Sequence, residues 1–425
     1  MGNGHGMTSS ELFYLTLGAT MALGLFTFPR ELVMKGGFDA YYGLLLAWAL
    51  GLAAAWMSVR WGQLFPGLSA IGSFKIALGW LAYPVLLAEI AFTLAFVGFA
   101  ARNFLDLLKS VFFPVTPEVV LIVALLGLSA YQAQQGIFGI ARSAEIVLGL
   151  AVLVTLAIYS FALTKVYPPF IVIHAPHLLP VVESGFATFY LFLNVHVLLM
   201  VTPFVKRLNL GPRAVFLAFV VLLGIAYLVL VNCVGSFGFI GVLRVAYPPA
   251  SVLRLLRVEG FLIERLGILV LVGNIVLVYI NLALNLWAMT TATIELTGLP
   301  RAGRPWITLG WTGLAVVISL LVPNTAAFIK TFPYFTALGF LAAIGVPMTI
   351  HAVAWARGLG LGRRNGPYGA GRAKPPRGII LWGEAVTGPG SEAEDIIGDR
   401  AVARWKARLE AGTSGGGAGR RRKNR

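Results

Sequence analysis

Charged residues are scarce in this chain. Of 425 residues only 12% are Asp, Glu, Lys or Arg, 58% are hydrophobic, and mean hydropathy is +0.84. Soluble domains carry about 25% charged residues, so a soluble globular class is excluded. A single cysteine, Cys233, excludes a disulfide framework and a cysteine metal site. The residues up to Ser10 contain no Lys or Arg, so we expect no cleaved signal peptide with a basic n-region.

Motifs of the common enzyme classes are also missing. The sequence contains no HExxH, no phosphate-binding loop, no plausible Ser, His and Asp set and no pair of intramembrane carboxylates. We therefore expect no enzyme, no catalytic residue and no cofactor. His174 and His177 are three positions apart, but no third ligand is near them in the sequence, so a zinc site is not expected either.

The positive charge is concentrated at the C-terminus. The formal net charge is +16, and the 69 residues from Arg357 hold 15 basic and 6 acidic groups. The remaining 356 residues hold 18 and 11, too sparse for a nucleic-acid-binding face. We predict an N-terminal cytoplasmic segment over 1–10, a membrane domain over 11–356 and a basic, Gly/Arg-rich, largely disordered cytoplasmic tail over 357–425.

Long apolar runs dominate the membrane domain. A hydrocarbon core about 30 Å thick is crossed by about 20 apolar residues of helix, which predicts an all-α polytopic protein with ten spans. The runs centre on Leu12 to Phe28, Tyr41 to Val59, Leu81 to Ala101, Val119 to Tyr131, Ala144 to Leu163, Phe186 to Val205, Val215 to Gly235, Ile263 to Met289, Ile307 to Val322 and Phe335 to Ala354. Loops on the two sides carry eight and ten basic residues, so the tail decides that both termini are predicted cytoplasmic.

Polar residues interrupt three of these runs, and a fourth contains helix breakers. Gly18, Gly24 and Pro29 lie in or at the end of the first run, where they either unwind the helix at mid-membrane or allow close helix contact. The sixth run places Asn194 and His196 deep in the span. His196 is a proton carrier, a ligand contact or a packing histidine, and the sequence leaves all three open.

The eighth and third runs contain the other candidates. Asn274, Asn281 and Asn285 share one face of a helix, which lines either a polar cavity or an interhelical seam. Glu89 is a carboxylate well inside the third run, where a charge costs about 2.5 to 3.5 kcal/mol. Glu89 and His196 are therefore candidates for proton or ion coupling. Between the seventh and eighth runs, the segment from Ser236 to Glu264 is predicted to hold a short interfacial helix or an irregular loop.

Several segments together resemble the endospore germination permease family, the membrane-embedded B subunits of nutrient germinant receptors in the amino acid/polyamine/cation superfamily. The resembling segments include LGLFTFPRELVMKGGFDAYYG (Leu23 to Gly43), GIFGIARSAEI (Gly136 to Ile146), LLPVVESG (Leu178 to Gly185), TPFVKR (Thr202 to Arg207) and GSFGFIGVLRVAYP (Gly235 to Pro248). The resemblance covers nearly the whole membrane domain. It implies two inverted five-helix repeats, with the first and sixth spans broken at a midplane site.

The resemblance also implies a function and a site. The family senses small nutrients, typically amino acids, in the spore inner membrane, together with an A-type subunit and a lipoprotein C-type subunit. The positions that correspond to its cavity are Ala22, Leu23, Gly24, Phe92, Phe96, Asn194, His196, Asn281 and Asn285. His196 stands where the family often has an acid. We therefore expect a membrane subunit that binds a nutrient and helps to trigger germination, and a stand-alone secondary amino acid transporter is the alternative.

Overall fold

The computed structural model describes residues 6–21, 24–65, 68–111, 113–172, 174–206, 208–256, 267–321 and 334–357. Within these ranges the regular structure is helical, with a single parallel β-bridge between Met7 and Val205. The predicted tail lies outside the described residues from position 358 onwards, so its expected disorder stays a prediction.

Fourteen α-helices are labelled here in chain order. They are α1 (Ser9–Met21), α2 (Phe28–Gly36), α3 (Ala40–Leu64), α4 (Ala70–Leu78), α5 (Ala82–Val111), α6 (Glu118–Gln134), α7 (Gly136–Ala162), α8 (Leu178–Thr188), α9 (Leu198–Val201), α10 (Gly211–Arg244), α11 (Pro248–Leu255), α12 (Gly267–Thr297), α13 (Arg304–Leu321) and α14 (Tyr334–Ala356). A π-helical turn over Leu341–Gly345 interrupts α14.

These helices account for the ten predicted runs. Eight stretches of the described residues are long and apolar enough to cross a membrane. The shorter α6, with 17 residues, and the 13-residue α1 supply the other two. The predicted fold class is confirmed: an all-α bundle of about ten spans. The helix α11 also confirms the short helix predicted between the seventh and eighth runs.

The spans divide into two halves, and each half begins with a broken span. The first half consists of α1 with α2, then α3, α5, α6 and α7; the second consists of α8 with α9, then α10, α12, α13 and α14. An odd number of crossings in the first half gives the second half the opposite orientation. The chain therefore has the inverted five-plus-five arrangement, with its breaks in the first and sixth spans.

Burial shows which spans lie at the centre. In the most apolar window of the sixth span, Leu178–Phe204, 83% of the residues are buried, against 61% in α12 and 22% in the span Arg301–Leu321 that contains α13. A span covered on all sides by protein has little contact with lipid. The sixth span and α12 are therefore the places where polar side chains are shielded from lipid by other helices.

The third span extends further than the sequence predicts. The apolar run fades after Ala101, yet α5 continues to Val111. Arg102 is buried there because it forms ion pairs of 2.9 Å with both Asp106 and Glu118. Local apolarity could not predict this extension, since one of the two neutralising carboxylates comes from the following helix, α6.

Candidate functional site

The first span breaks at Gly24, a position that only a residue without a Cβ can occupy. Gly24 has φ +99°, and a Cβ there would overlap the ring of Tyr190 from the sixth span. Its carbonyl accepts the N–H groups of Thr27 and Phe28, both at 2.9 Å. The Thr27 hydroxyl is 2.9 Å from the Tyr190 hydroxyl. Pro29 in the first turn then favours a fresh helix start, so α2 begins here.

The end of α1 is held by the eighth span. The side-chain amide of Asn281 donates to the carbonyl of Ala19 at 2.8 Å and to that of Gly18 at 3.1 Å. Helices end with carbonyls that have no partner inside the helix, and here α12 supplies the donors. Asn285 donates to the backbone oxygen of Asn281 at 2.8 Å and to its side-chain oxygen at 3.3 Å. For Asn281 the structure thus supports the interhelical seam, one of the two alternatives that the sequence left open.

The break in the sixth span has a different form. After α8 the chain continues as nine residues of 3₁₀-helix, Phe189–Val197, before α9. Runs of 3₁₀-helix longer than three or four residues are uncommon, and a stretch within a span often marks a functional hinge. Every residue of this stretch is buried. The interruption therefore lies inside the bundle and away from lipid.

Asn194 in this 3₁₀ stretch has open hydrogen-bonding capacity. The residue is 1% exposed, and neither its amide nitrogen nor its side-chain oxygen has a partner among the described residues. A buried polar group left unpaired costs about 1 to 3 kcal/mol. The oxygen of Asn285 and the hydroxyl of Thr188 are also buried without a partner in the described part of the chain.

His196 is bonded to the third span. Its Nδ1 is 2.9 Å from the carbonyl of Leu193, and its Nε2 is 3.1 Å from the hydroxyl of Thr93. That hydroxyl is also 2.7 Å from the carbonyl of Glu89, yet it has one hydrogen to donate. If Thr93 donates to Nε2, His196 is neutral. If Thr93 donates to Glu89 instead, the contact with Nε2 is a hydrogen bond only when His196 is a cation.

A small cavity of about 50 Å³ lies beside this pair of residues. It is lined by residues of α4, α5, α12 and the sixth span, namely Ala70, Ile71, Phe74, Leu86, Glu89, Ile90, Thr93, His196, Val197, Leu199, Met200, Ala288, Met289 and Ala292. One carboxylate oxygen of Glu89 is buried there without a partner among the described residues. The two residues predicted for proton or ion coupling therefore share one cavity.

Phenylalanines cover the other side of His196. The ring centroids of Phe92 and Phe96 lie 5.2 Å and 6.4 Å from that of His196. Phe335 at the start of α14 stacks on Phe92 at 5.4 Å and on Phe96 at 6.3 Å. Two of the predicted site residues, Phe92 and Phe96, thus pack against His196 together with a third aromatic ring, Phe335, that the sequence analysis missed.

The N-terminal segment closes one end of the bundle. Met7 donates its N–H to the carbonyl of Phe204 at 2.8 Å, and its carbonyl accepts from Lys206 at 2.9 Å. Thr8 and Glu11 cap α1 reciprocally, at 2.7 Å and 3.1 Å. The start of the first span is therefore tied to the end of the sixth.

The predicted site residues fall into three groups. Phe92, Phe96 and His196 lie together. Gly24 lies against Tyr190, which belongs to the same 3₁₀ stretch as Asn194. The amide of Asn281 donates to α1, and that of Asn285 donates within its own helix. Ala22 and Leu23 lie outside the described residues. Sequence reasoning missed Tyr190 and Phe335, because an aromatic residue in a membrane span carries no signal that separates a site contact from ordinary packing.

The expectation of no zinc site at His174 and His177 assumed that no third ligand lies near them. A third possible ligand does lie beside His174 and His177: Asp39, 138 residues from His177 in the sequence, has its carboxylate oxygens 3.7 Å and 3.2 Å from them. The ligand atoms of all three lie within 4.8 Å of one another. Sequence distance concealed this cluster, because Asp39 lies between α2 and α3 and the histidines precede α8.

The fold and this pair of broken spans define a class of protein, the permease and transporter type. A family model described as spore germination protein matches residues 7–350, and the chain belongs to this spore permease family. The chain is 20% identical over 289 residues to the spore germination protein YndE of Bacillus subtilis strain 168, covering 66% of this chain and 78% of that relative.

Two solved structures have the same fold. The chain is similar to MhsT in complex with L-phenylalanine, with a TM-score of 0.54 and 14% identity, over 84% of this chain and 100% of that one. It is also similar to a Na⁺-coupled sialic acid symporter in a substrate-bound outward-open state, with a TM-score of 0.52 and 13% identity, over 83% of this chain and 85% of that one. These likenesses identify the architecture.

Proposed function

We propose that this chain is the nutrient-binding membrane subunit of a spore germinant receptor, and that an amino acid binds between the broken first and sixth spans. The observation that carries the proposal is Asn194, an amide buried in a 3₁₀ stretch whose two polar atoms have no partner among the described residues. A carboxylate and an ammonium group could use its donor and its acceptor. The first break, with the N-terminus of α2, adds positive dipole for the carboxylate.

The fold neighbour in complex with L-phenylalanine supports an amino acid as the ligand class. Asn285, Phe92 and Phe96 would complete the wall, with Ala22, Leu23 and Gly24 at the first break. Binding would favour one of two bundle states, which the A-type and lipoprotein C-type subunits would detect. The chain would lie in the spore inner membrane or the cell membrane with both termini cytoplasmic, and it would act without enzyme activity.

Binding measurements test the site. The purified chain in lipid nanodiscs is titrated with radiolabelled amino acids, and Asn194→Leu is expected to weaken the affinity at least about tenfold, the loss of one hydrogen bond to a charged group. Asn232→Leu in α10 is the matched control, because that buried asparagine donates to Tyr159 and Leu228 in another part of the bundle. Equal affinities of wild type and Asn194→Leu would contradict the site.

Germination tests the receptor role. In a spore former that lacks its own B subunit, the wild-type chain is expected to restore the nutrient response, and the A-type and C-type subunits to co-purify with it. Asn194→Leu should leave co-purification intact and abolish the response. Failure of the wild-type chain to restore any response, although it is present in the spore membrane, would contradict this role.

A specific observation favours a second candidate, a proton-coupled transporter acting alone. Glu89, Thr93 and His196 line one cavity, and the hydrogen bond of Thr93 has to change direction when His196 takes up a proton. Uptake into vesicles that contain only this chain separates the two candidates. Accumulation driven by a pH gradient favours the transporter, and binding without accumulation favours the receptor.

A further inference from the structure

A corner between the two broken spans holds three side chains that can ligate a metal. Asp39 ends a short 3₁₀ turn, Gly37–Asp39, between α2 and α3. His174 and His177 lie in the segment that leads into α8. From these residues we propose a divalent transition-metal site, best suited to Zn²⁺, that bridges the two segments.

The hydrogen bond of His174 determines which of its nitrogens can bind. Its Nδ1 is 2.6 Å from the carbonyl of Ala175, and because a carbonyl only accepts, Nδ1 carries the proton. In the neutral ring Nε2 then presents a lone pair towards Asp39. Metal-ligating histidines commonly donate their other N–H to a carbonyl or carboxylate in this way. The ring of His174 is therefore already in the tautomer that a metal requires.

The distance to Asp39 fits an intervening cation. Nε2 of His174 is 3.7 Å from Oδ1 of Asp39, too long for a hydrogen bond. Two ligands at about 2.1 Å from a tetrahedral Zn²⁺ are about 3.4 Å apart. The Nδ1 of His177 is 3.2 Å from the other oxygen of Asp39, which fits a hydrogen bond when Nδ1 carries a proton and a shared metal ligand when Nδ1 presents its lone pair. A cation between the three would replace the repulsion between the lone pair and the carboxylate with two bonds.

The burial of Asp39 also favours a cation. Its side chain is 6% exposed, and its ion-pairing partners among the described residues are these two histidines. The backbone N–H of His177 donates to Oδ1 at 3.1 Å, which orients the carboxylate. Neither ring can cancel the charge of the carboxylate while its other nitrogen presents a lone pair to a metal, and an uncompensated buried charge is costly in a protein interior. A divalent ion would neutralise it.

The segments that carry the ligands are held in place. The hydroxyl of Tyr42, in the first turn of α3, donates to the carbonyl of His174 at 2.8 Å. The ring of Phe38 packs edge-on against that of His174, with centroids 6.1 Å apart. His177 is 73% exposed, so a fourth position is open to water or an exchangeable ligand. Imidazole and carboxylate ligands suit Zn²⁺ and Co²⁺ better than Ca²⁺ or Mg²⁺.

The position of the cluster gives it a mechanical consequence. Asp39 follows α2, the second half of the broken first span, and His177 directly precedes α8, the first half of the broken sixth span. A bound metal would fasten these two half-helices to each other at the face opposite the Met7 bridge. Metal occupancy would thereby favour the state in which the ligand atoms are close.

The test uses the full-length chain, purified with an affinity tag that contains no histidine and stripped with a chelator. Titration with Zn²⁺ and with Co²⁺ is expected to give one tight equivalent, and Co²⁺ should give the visible absorption bands of a low-symmetry site. His177→Ala and His174→Ala are each expected to weaken Zn²⁺ binding by more than about tenfold, the lower bound seen even for loss of an outer-shell partner.

His351→Gln is the matched control, since His351 lies in α14 and bonds to its own helix through Pro347. It should bind Zn²⁺ like wild type. Because His177 is exposed, His177→Ala is expected to retain the wild-type elution volume and melting temperature in the absence of metal. The proposal is overturned if wild type binds no Zn²⁺ above the detergent background, or if both histidine variants bind it with unchanged affinity. Nutrient binding plays no part in this test.

Discussion

The two broken spans differ in how their polar groups are satisfied. In the first span the break is closed by the chain itself: Asn281 donates to the carbonyls at the end of α1, and Gly24 packs directly under Tyr190. In the sixth span the nine-residue 3₁₀ stretch leaves both polar atoms of Asn194 without partners among the described residues. The carbonyls at the end of α1 thus have donors, whereas Asn194 in the second break has unused hydrogen-bonding capacity in the part of the chain that the structure describes.

This difference distinguishes a polar side chain that holds two helices together from one whose hydrogen-bonding groups have no described partner. Asn281 and Asn194 are both buried asparagines in central spans, and they are indistinguishable by composition. The hydrogen bonds of Asn281 stabilise the bundle, whereas the amide of Asn194 has no partner among the described residues and is the group that we propose for ligand binding. Substitutions at the two breaks should therefore change stability in opposite directions.

The largest effect is expected from Gly24→Ala. The left-handed backbone costs about 1 to 2 kcal/mol for a residue with a Cβ, and the overlap with Tyr190 adds about 1 to 3 kcal/mol of overpacking. Gly79→Ala is the control, because Gly79 has φ +64° and open space where its Cβ would lie. Thermal unfolding in detergent should show the Gly24 variant as clearly less stable than the Gly79 variant; equal losses would mean that Tyr190 does not constrain the first break.

Asn281→Leu should give the next largest loss. It keeps the size of the side chain and leaves the carbonyls of Gly18 and Ala19 without their donor, which lowers stability by about 1 to 3 kcal/mol. Unfolding by heat or denaturant measures the loss. An unchanged melting temperature would contradict the role of α12 in capping α1.

Apolar length predicted the spans, and the family resemblance implied the two breaks and the positions of Phe92 and Phe96. The sequence alone left open whether Gly24 and Pro29 unwind the first span or allow close helix contact. It was insufficient for the hydrogen bonding of particular residues, because Asn281 and Asn194 carry the same side chain and differ only in what faces them. The same limit concealed Asp39, which meets His177 only after the intervening spans have folded.

Asn194→Leu is expected to have a smaller effect of the opposite sign. Replacing an unpaired buried amide with an apolar group of similar shape should leave stability unchanged or raise it, by about 1 kcal/mol. The same variant should lose nutrient binding. A loss of stability like that of Asn281→Leu would mean that Asn194 has a structural partner, and it would remove the distinction between the two breaks.

An effect of similar size, again a loss, is expected from Thr93→Val, which removes the hydroxyl shared by His196 and the carbonyl of Glu89. The loss should be about 0.5 to 1.5 kcal/mol, the net contribution of one hydrogen bond. Thr312→Val is the matched control, because that buried hydroxyl donates at 2.7 Å to Thr308 in its own helix. If the break in the sixth span senses protons through Thr93, the pH dependence of ligand binding or uptake should differ from wild type in Thr93→Val. In Thr312→Val it should be the same as in wild type. Identical pH profiles in wild type and both variants would mean that His196 is a packing residue at this break. The hydrogen bond from its Nδ1 to the carbonyl of Leu193 would then be enough to hold a neutral ring in place.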